Sequence, residues 1–342
     1  MRLVFDFYGV SVCVQSATAE FEPILADLRA DFEFFHRPVK KVDDSPIKVK
    51  ILLMPKSKAA RACLAAPYVF KTRECRVYGW GPLRACNFPD GLTVITRSRF
   101  RRGRRLRTFW VLDPGSSLVY EAAYVAILSA VGEELDALGY HRIHALAFRR
   151  AGVAAVLPLP SRGGKSSIAS LMIDDPETQL YSDEIPLLKK GRLYPFPVRI
   201  ALFPDVARKL GLEVSTTRRF PRRIYPEKIL FPIPQSRVAP AAPLGRLFYP
   251  AGTSFFAVRF VFNVVFGLGT PQMAQYMLRI DNFPRLARIA FSRFWTAVSI
   301  IARKTECRPV RLTGSVSQDK ASLDRFSEPP ASEPDSRHER RP

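Results

Sequence analysis

The residues best suited to chemistry lie in one stretch, Val153 to Met172, where an apolar strand leads through a Gly-Gly-Lys-Ser-Ser turn into an amphipathic helix. This order of strand, turn and helix is typical of a phosphate-binding loop. We expect backbone N–H groups between Arg162 and Gly164 to contact one anion, Lys165 to reach the terminal phosphates, and the Ser166 hydroxyl to bind Mg²⁺. The pattern therefore predicts a nucleoside triphosphate as the ligand.

A helix start with a convenient serine and glycine is the alternative interpretation of this turn. The general pattern G-x-x-x-x-G-K-[ST] places its first glycine at Leu159, so only the second half of the pattern is present literally. The residues that follow the helix favour the phosphate-binding interpretation.

Two adjacent acids follow the next predicted strand. The strand over residues 179–181 delivers Asp183 and Glu184 to its C-terminal end, where they would face the loop. Phosphoryl transfer needs a carboxylate that orients or deprotonates the attacking hydroxyl and another oxygen ligand for the metal, and these two acids suit those two roles. A helix cap or a solvated turn is the alternative explanation of this Asp-Glu pair.

The order of these motifs resembles the catalytic domain of HPr kinase and the related serine kinases. The residues that carry the resemblance are His144, Gly152, Ser161-Arg162-Gly163-Gly164-Lys165-Ser166, Ser182-Asp183-Glu184 and Tyr194-Pro195-Phe196-Pro197. The family's loop is usually written G-x-S-G-x-G-K-S. This chain keeps the serine and the final Gly-Lys-Ser, and it has Leu159 and Arg162 at the first two glycine positions. The resemblance covers about residues 140 to 235.

The resemblance implies a mixed α/β core with the phosphoenolpyruvate-carboxykinase-like arrangement of a twisted mixed sheet wrapped by helices. It further implies Asp183 as general base, Glu184 as second acid, ATP and Mg²⁺ as cofactors, and Ser166 with Glu184 as metal ligands. The residues expected at the nucleotide are Ser161, Arg162, Gly163, Gly164, Lys165, Ser166 and Ser167.

His144 lies 21 residues before Lys165, a spacing that also matches the family. We interpret it as orienting Asp183 or contacting the transferred phosphate, although a lone histidine on a strand is often a hydrogen-bonded core residue. His36, His141 and His338 have no partners at metal-ligand spacing, so no zinc site is predicted.

The predicted function is an ATP-dependent kinase that phosphorylates a hydroxyl, a serine of a protein or peptide. The first alternative is a regulatory protein that binds a nucleotide or anion without transfer. The second is a basic adaptor for nucleic acid or a membrane surface. The acceptor's identity and the oligomeric state, which is hexameric in HPr kinases, stay open.

Composition favours a globular protein of the reducing cytoplasm. Apolar residues make up 47% of the 342 residues, and the five cysteines form no C-x-x-C pair. No secretory signal is expected, because Arg2 and Asp6 interrupt the N-terminal apolar residues. The most apolar stretch, Ser254 to Leu268, is too short and too polar to span a bilayer, so no transmembrane segment is predicted. We interpret it as a buried helix, with a role at a membrane surface as the alternative.

The chain divides into three parts and a tail. Residues 1–118 contain alternating segments, of which Leu3 to Val14 is the first, and they predict a strand-rich N-terminal domain. Residues 119–235 begin with a helix from Val119 to Ala137 and hold the kinase-like core. Residues 236–312 read as a mainly helical C-terminal region, and residues 313–342 as a disordered tail rich in serine, proline and charge.

Two basic clusters accompany a formal net charge of +22. Arginines crowd from Arg97 to Arg107 around a predicted hairpin tip, which could bind an anionic partner, although a solvated hairpin is the simpler interpretation. The second cluster, from Arg218 to Lys228, follows the kinase-like core. There Arg222 or Lys228 could stabilise charge on a transferred group.

Overall fold

The computed structural model describes the greater part of the chain. The residues it describes are 2–16, 18–38, 47–55, 68–71, 75–80, 83–101, 104–113, 115, 117–160, 163–213, 218–223, 226–252, 257–258, 260–261, 264, 283–302 and 305–327. Predictions for Ser161 and Arg162 of the loop lie outside these residues.

The protein has a mixed α/β fold, in agreement with the predicted class. The α-helices among the described residues are α1 (Glu22–Asp31), α2 (Val119–Ala137), α3 (Lys165–Ile173), α4 (Pro204–Lys209), α5 (Phe283–Ala302) and α6 (Val316–Ser327). The strands of the first half are β1 (Arg2–Phe7), β2 (Val10–Ser16), β3 (Ile47–Pro55), β4 (Tyr68–Lys71), β5 (Arg76–Trp80), β6 (Leu83–Asn87), β7 (Thr93–Arg101) and β8 (Arg104–Asp113). Those of the second half are β9 (His141–Arg142), β10 (Leu146–Arg150), β11 (Val153–Leu157), β12 (Thr178–Ser182), β13 (Leu187–Lys189), β14 (Arg192–Tyr194), β15 (Ile200–Leu202), β16 (Arg218–Phe220), β17 (Lys228–Phe231), β18 (Ala242–Pro250) and β19 (Glu306–Val310).

The first half forms an eight-stranded mixed sheet in the order β1-β2-β3-β8-β7-β6-β5-β4. Strands β2, β3 and β8 run parallel to their neighbours in that group, and the other pairs are antiparallel. The segment Leu3 to Val14 is a hairpin rather than one strand. It reverses at Tyr8 and Gly9, which both have positive φ, and glycine adopts that conformation at little cost.

Helix α2 begins and ends where the sequence predicted, but it packs on the first sheet. It contacts β2, β3, β8 and α1, and most of its side chains are buried. The same hydrophobic cluster also takes in Leu187, Phe196 and Leu230 from the second half. The predicted domain boundary at residue 118 therefore crosses a continuous core.

The second half is organised around another sheet, in the order β12-β10-β11-β18-β14-β13-β9, with β19 beside β18. Strand β10 is antiparallel to both β11 and β12. Since β11 and β12 consequently run in the same direction, their C-terminal ends meet at one edge, on either side of the start of β10. The register pairs Leu146 with Leu157 and Ala147 with Ser182. Three strands form a small sheet in the order β15-β17-β16. In the sequence, these strands fall between β14 and β18.

The expectation of a mainly helical region over residues 236–312 is wrong in part. Strand β18 lies in the interior of the second sheet, parallel to β11 and β19, and only α5 is a long helix there among the described residues. Leu247 and Phe248 are both buried. Leu244, Leu247 and Phe248 are spaced i, i+3 and i+4, which is typical of one face of a helix and explains the helical prediction.

The expectation of disorder over residues 313–342 is wrong for residues 316–327, which form α6. Leu323 is buried in the cluster that also holds Ile168 and Met172 of α3. The Asp319 carboxylate accepts hydrogen bonds from the N–H and hydroxyl of Thr313, at 2.6 and 3.0 Å. Leu323 in the core, the Asp319 cap, and the ion pairs of Lys320 with Asp175 and of Asp324 with Arg150 hold a segment whose composition is polar. Residues 328–342 lie outside the described residues.

The segment Ser254 to Leu268 lies largely outside the described residues. Of those that are described, Phe260 and Val264 are buried and Val258 is exposed. Across the part of the chain that the structure describes, none of the helices has the length and the apolar character needed to cross a bilayer.

Candidate functional site

The candidate site lies at the edge of the second sheet where β11 and β12 both end. The chain leaves β11 at Leu157, passes through the loop and enters α3 at Lys165. Inside the loop, the N–H of Gly163 donates to the carbonyl of Pro160 at 3.0 Å. A Cβ on Gly163 would stand 3.0 Å from that same carbonyl oxygen, so the tight turn favours glycine there.

The N-terminus of α3 is suited to an anion. Gly164 precedes the first helical residue with a φ of 86°, and no side chain caps the helix. The first N–H groups of any α-helix have no partner within the helix, and they carry the positive end of the helix dipole. Ser166 and Ser167 both lie in this first turn and are half-buried. The turn therefore presents N–H groups and hydroxyls at the place where the sequence predicted phosphate.

Lys165 bends back over the loop. Its Nζ donates to the carbonyl oxygens of Leu159 and Pro160, at 2.7 and 2.9 Å, and lies 3.0 Å from Nε2 of His144. The residue is only 6% exposed. Burial lowers the pKa of Lys165 to about 8, although the charges of Glu184 and Asp183 oppose that change. The ammonium is thus partly desolvated, and it is held by backbone carbonyls.

His144 contacts Lys165 rather than Asp183. Because an ammonium group only donates hydrogen bonds, Nε2 of His144 accepts, and the proton of the neutral ring is on Nδ1. Burial and the neighbouring Lys165 lower the pKa of His144, which favours this neutral form. The sequence led us to expect that His144 would orient Asp183 or contact the transferred phosphate; in the structure its hydrogen-bond partner is Lys165.

The side chains of Asp183 and Ser166 are joined by a direct hydrogen bond. The Ser166 hydroxyl donates to Oδ2 of Asp183 at 2.9 Å, and the Asp183 residue is 5% exposed. Burial and the adjacent charge of Glu184 raise the pKa of Asp183 to about 7, while the Ser166 hydrogen bond, Lys228 and Lys165 lower it. A carboxyl group with this pKa exchanges its proton near neutral pH, as a general base requires.

Glu184 lies at the outer side of the same turn. The Ser182 hydroxyl accepts hydrogen bonds from the N–H groups of Glu184 and Ile185, at 3.3 and 2.9 Å, and so fixes the turn. The residue is exposed. Burial lowers the pKa values of Lys165 and His144, and the negative charge of Glu184 opposes that change. The sequence paired Ser166 with Glu184 as metal ligands, but the acid bonded to Ser166 in the structure is Asp183.

Lys228, at the start of β17, adds a further charged side chain to Lys165, Asp183 and Glu184. Burial and Arg222 lower the pKa of Lys228, and the carboxylates of Glu184 and Asp183 raise it. Its Nζ lies 5.4 Å from the ring centroid of Phe203. The sequence named this lysine, with Arg222, as a residue that could stabilise charge on a transferred group. Strand β17 pairs antiparallel with β15. The folded structure places Lys228 within electrostatic reach of Asp183 and Glu184.

Arg199 was not predicted from the sequence. Its guanidinium is buried, 3.7 Å from the ring centroid of Tyr124 and 4.3 Å from that of Phe220. It forms an ion pair with Asp31 of α1 and donates to the Tyr120 hydroxyl at 2.9 Å. No local motif marks this residue, because its partners come from distant parts of the chain.

The oxygen donors at the site fit a magnesium ion that is shared with phosphates. No cluster of three or more His, Cys, Asp or Glu side chains suited to a metal occurs within the described residues. Ser166, Asp183 and Glu184 offer one hydroxyl and two carboxylates. Mg²⁺ is commonly held by one or two carboxylates, water and substrate phosphates rather than by a complete protein cage.

The arginine cluster from Arg97 to Arg107 is only partly accessible. Arg107 is buried, and its guanidinium contacts the Glu133 carboxylate of α2 at 2.7 Å. Arg99 is exposed. Residues 102–103 and the side chains of residues 101–105 lie outside the described residues. Arg107 is therefore not accessible to the anionic partner that we expected at this hairpin.

No family model matches the sequence, and no curated protein matches it. The functional interpretation consequently depends on the geometry of the site and on the resemblance of its motifs.

Proposed function

We propose that the protein is an ATP- and Mg²⁺-dependent kinase of the HPr-kinase-related group, and that it phosphorylates a hydroxyl, a serine of a protein or peptide. The observation that carries the proposal is the 2.9 Å hydrogen bond between Ser166 and Asp183, formed beside a lysine that starts a helix without a capping side chain. A loop lysine and serine next to a carboxylate are the recurring components of phosphoryl-transfer sites.

The proposal includes an HPr-kinase-like arrangement of the core. Its support is the order β11, loop, α3 and β12, with the antiparallel β10 between the two strands. In this arrangement a hairpin precedes the loop, and the acid pair follows the next strand. Both features agree with the motif order that suggested the family.

The residues divide into those that would hold the nucleotide and those that would act on the acceptor. The N–H groups at the start of α3 and the ammonium of Lys165 would bind the phosphates. Ser166 and Glu184 would hold Mg²⁺, which supplies charge neutralisation and orientation when it is bound. Lys165 would exchange its contacts with Leu159 and Pro160 for phosphate oxygens. A nearby anion would restore its full positive charge.

Asp183 would accept the proton of the attacking hydroxyl. The acceptor oxygen forms a bond to the terminal phosphorus, the bond from that phosphorus to the leaving diphosphate oxygen breaks, and the hydroxyl proton passes to the carboxylate. A pKa of about 7 leaves a substantial fraction of Asp183 ionised at neutral pH. Lys228 lies close enough to the acids to neutralise charge that moves outward during transfer.

Nucleotide binding and transfer can be tested separately with two site variants and one matched control. Lys165→Ala should abolish Mg·ATP binding measured by calorimetry, whereas Asp183→Asn should retain binding and lose transfer. Lys209→Ala removes an exposed lysine of α4 and should change neither. Transfer is measured as labelled phosphate on proteins of a cell extract. Equal nucleotide affinity in the wild type and in Lys165→Ala would refute the assignment of the loop.

The same experiment addresses the second candidate function. If Mg·ATP binds through Lys165 but no labelled acceptor and no hydrolysis appear, the protein is a nucleotide-binding regulator.

A further inference from the structure

Helix α5 has one face that is fixed against the rest of the protein. Arg293 donates to the Asp136 carboxylate of α2 at 2.8 Å, and both side chains are nearly inaccessible to solvent. Ala297 and Ile300 lie on the same face, because successive helical residues are about 100° apart, and both are buried. A rotation of the helix would break the buried ion pair. The direction in which its other face points is therefore set by the structure.

The opposite face carries a group of exposed aromatic side chains. Phe291, Phe294 and Trp295 are 64%, 43% and 54% exposed. The ring centroid of Trp295 lies 6.0 Å from that of Phe291 and 6.0 Å from that of Phe294, with tilted rings. The three rings therefore form one continuous patch, which we call the aromatic patch. Contiguous exposed apolar surface of this kind marks an interaction site more often than isolated apolar residues do.

The surroundings of the aromatic patch are basic. The sequence of α5 contains arginines and no aspartate or glutamate, and Arg288 is exposed. The chain continues beyond the helix with Arg303 and Lys304. The next acid, Glu306, is paired with Arg246 and Arg308. A partner that covers the patch could consequently contact the positive charge of Arg288.

We propose that α5 docks on a membrane surface that contains anionic lipids, with the aromatic patch inserted at the level of the headgroups. Aromatic side chains on one face with arginines beside them are typical of helices that lie in the membrane interface. The charges disfavour a second copy of this chain as the occupant, because each copy has a formal net charge of +22. An anionic surface attracts Arg288, which is exposed, and a basic side chain contributes favourably within a Debye length of such a surface.

The test uses the full-length protein and sedimentation with unilamellar vesicles of phosphatidylcholine, with and without phosphatidylglycerol. The protein should bind the vesicles that contain phosphatidylglycerol, and binding should weaken steeply with added salt. Phe291→Ala and Trp295→Ala should each weaken binding about tenfold, since each removes an aromatic side chain that would become buried. Arg288→Glu should weaken binding to anionic vesicles as well.

Leu138→Ala is the matched control, because Leu138 is an exposed apolar residue, at 39% exposure, outside α5. It should bind vesicles like the wild type, and all variants should keep the circular dichroism spectrum of the wild type. Absence of vesicle binding, or equal binding to neutral and anionic vesicles, would overturn the proposal. So would a doubling of the mass in light scattering that depends on Phe291 and Trp295, which would assign the patch to a contact between copies.

Discussion

The replacement of Asp183 by asparagine should stabilise the protein at neutral pH, although Asp183 is at the centre of the candidate site. The side chain is buried and next to a second acid, and these two causes raise its pKa to about 7. In the unfolded chain the same carboxyl group ionises near its usual value of 3.8. Folding at neutral pH must therefore either hold a proton on Asp183 or bury its charge.

The magnitude follows from proton linkage. Between about pH 4 and pH 7 the folded state binds one proton more than the unfolded state at this site, so the free energy of unfolding falls by about 1.4 kcal/mol for each pH unit. Over the whole window the loss is about 4 kcal/mol. Asparagine is isosteric and neutral, and its amide oxygen still accepts the hydrogen bond from Ser166. The variant should therefore avoid this loss.

The assay is urea denaturation of wild type and Asp183→Asn at several pH values between about 4.5 and 7.5. This window excludes most of the titration of Lys165, whose pKa is about 8. The free energy of unfolding of Asp183→Asn should be close to that of the wild type at the acidic end of this range. It should exceed that of the wild type by an increasing amount toward the neutral end. A difference that does not change with pH would refute the reasoning, because it would mean that Asp183 ionises alike in both states.

Asp175→Asn provides a control of opposite sign. Although burial alone would raise the pKa of Asp175, the N–H of Glu177 and the ammonium of Lys320 lower it below its usual value. The stabilisation from Asp175 is consequently present above its unfolded pKa and is lost as the pH falls. Asp175→Asn should destabilise the protein at neutral pH by roughly 1–3 kcal/mol. The two variants together separate a specific effect of Asp183 from a general effect of removing a carboxylate.

Three further variants test other parts of the structure. Lys228→Ala should slow phosphoryl transfer by about a hundredfold while nucleotide affinity changes much less; equal loss of both in kinetics and calorimetry would assign Lys228 to binding alone. His144→Gln should retain more Mg·ATP affinity than His144→Phe in calorimetry, because an amide oxygen can still accept from Lys165, and identical affinities would argue against a positioning role. Leu323→Ala should lower the free energy of unfolding by about 2–4 kcal/mol, and an unchanged urea midpoint would show that α6 does not stabilise the core.

Local features of the fold could be predicted from the sequence. The bounds of α2 followed from a long apolar helical pattern that ends near a glycine. The apolar runs of β10 and β11, and those of β13 and β14, are short and separated by turn residues, a pattern typical of hairpins. The loop, α3 and the acids after β12 were placed correctly relative to one another, since strand direction follows from chain order over a short stretch.

Features that depend on distant parts of the chain could not be predicted in this way. The parallel pairing of β11 with β18 joins residues far apart in sequence, and the i, i+3, i+4 spacing of Leu244, Leu247 and Phe248 in β18 is compatible with a helix. Composition also indicated disorder where α6 docks through Leu323, because composition does not report one well-placed contact. At the site itself, His144 contacts Lys165 because the Lys165 side chain bends back over the loop. Residue types alone do not predict that side-chain conformation.

The first half of the protein contributes directly to the electrostatics of the candidate site. Arg199 is held by Asp31 and Tyr120 of the two helices that cover the first sheet, and its guanidinium lies over Tyr124. Burial raises the pKa of Tyr124, and the charges of Glu184 and Asp183 add to this effect while Arg199 opposes it. Burial lowers the pKa of Lys228, and the charge of Arg199 adds to that effect. Both acids and Lys228 are therefore within electrostatic reach of Arg199 and Tyr124. A buried acid such as Asp183 opposes folding unless the surrounding structure fixes compensating charges. For Asp183 the compensating groups are Ser166, Lys228 and Lys165, whereas α1 and α2 fix the position of Arg199, whose charge acts on Lys228. The first half of the protein therefore influences the charges of the site through Arg199.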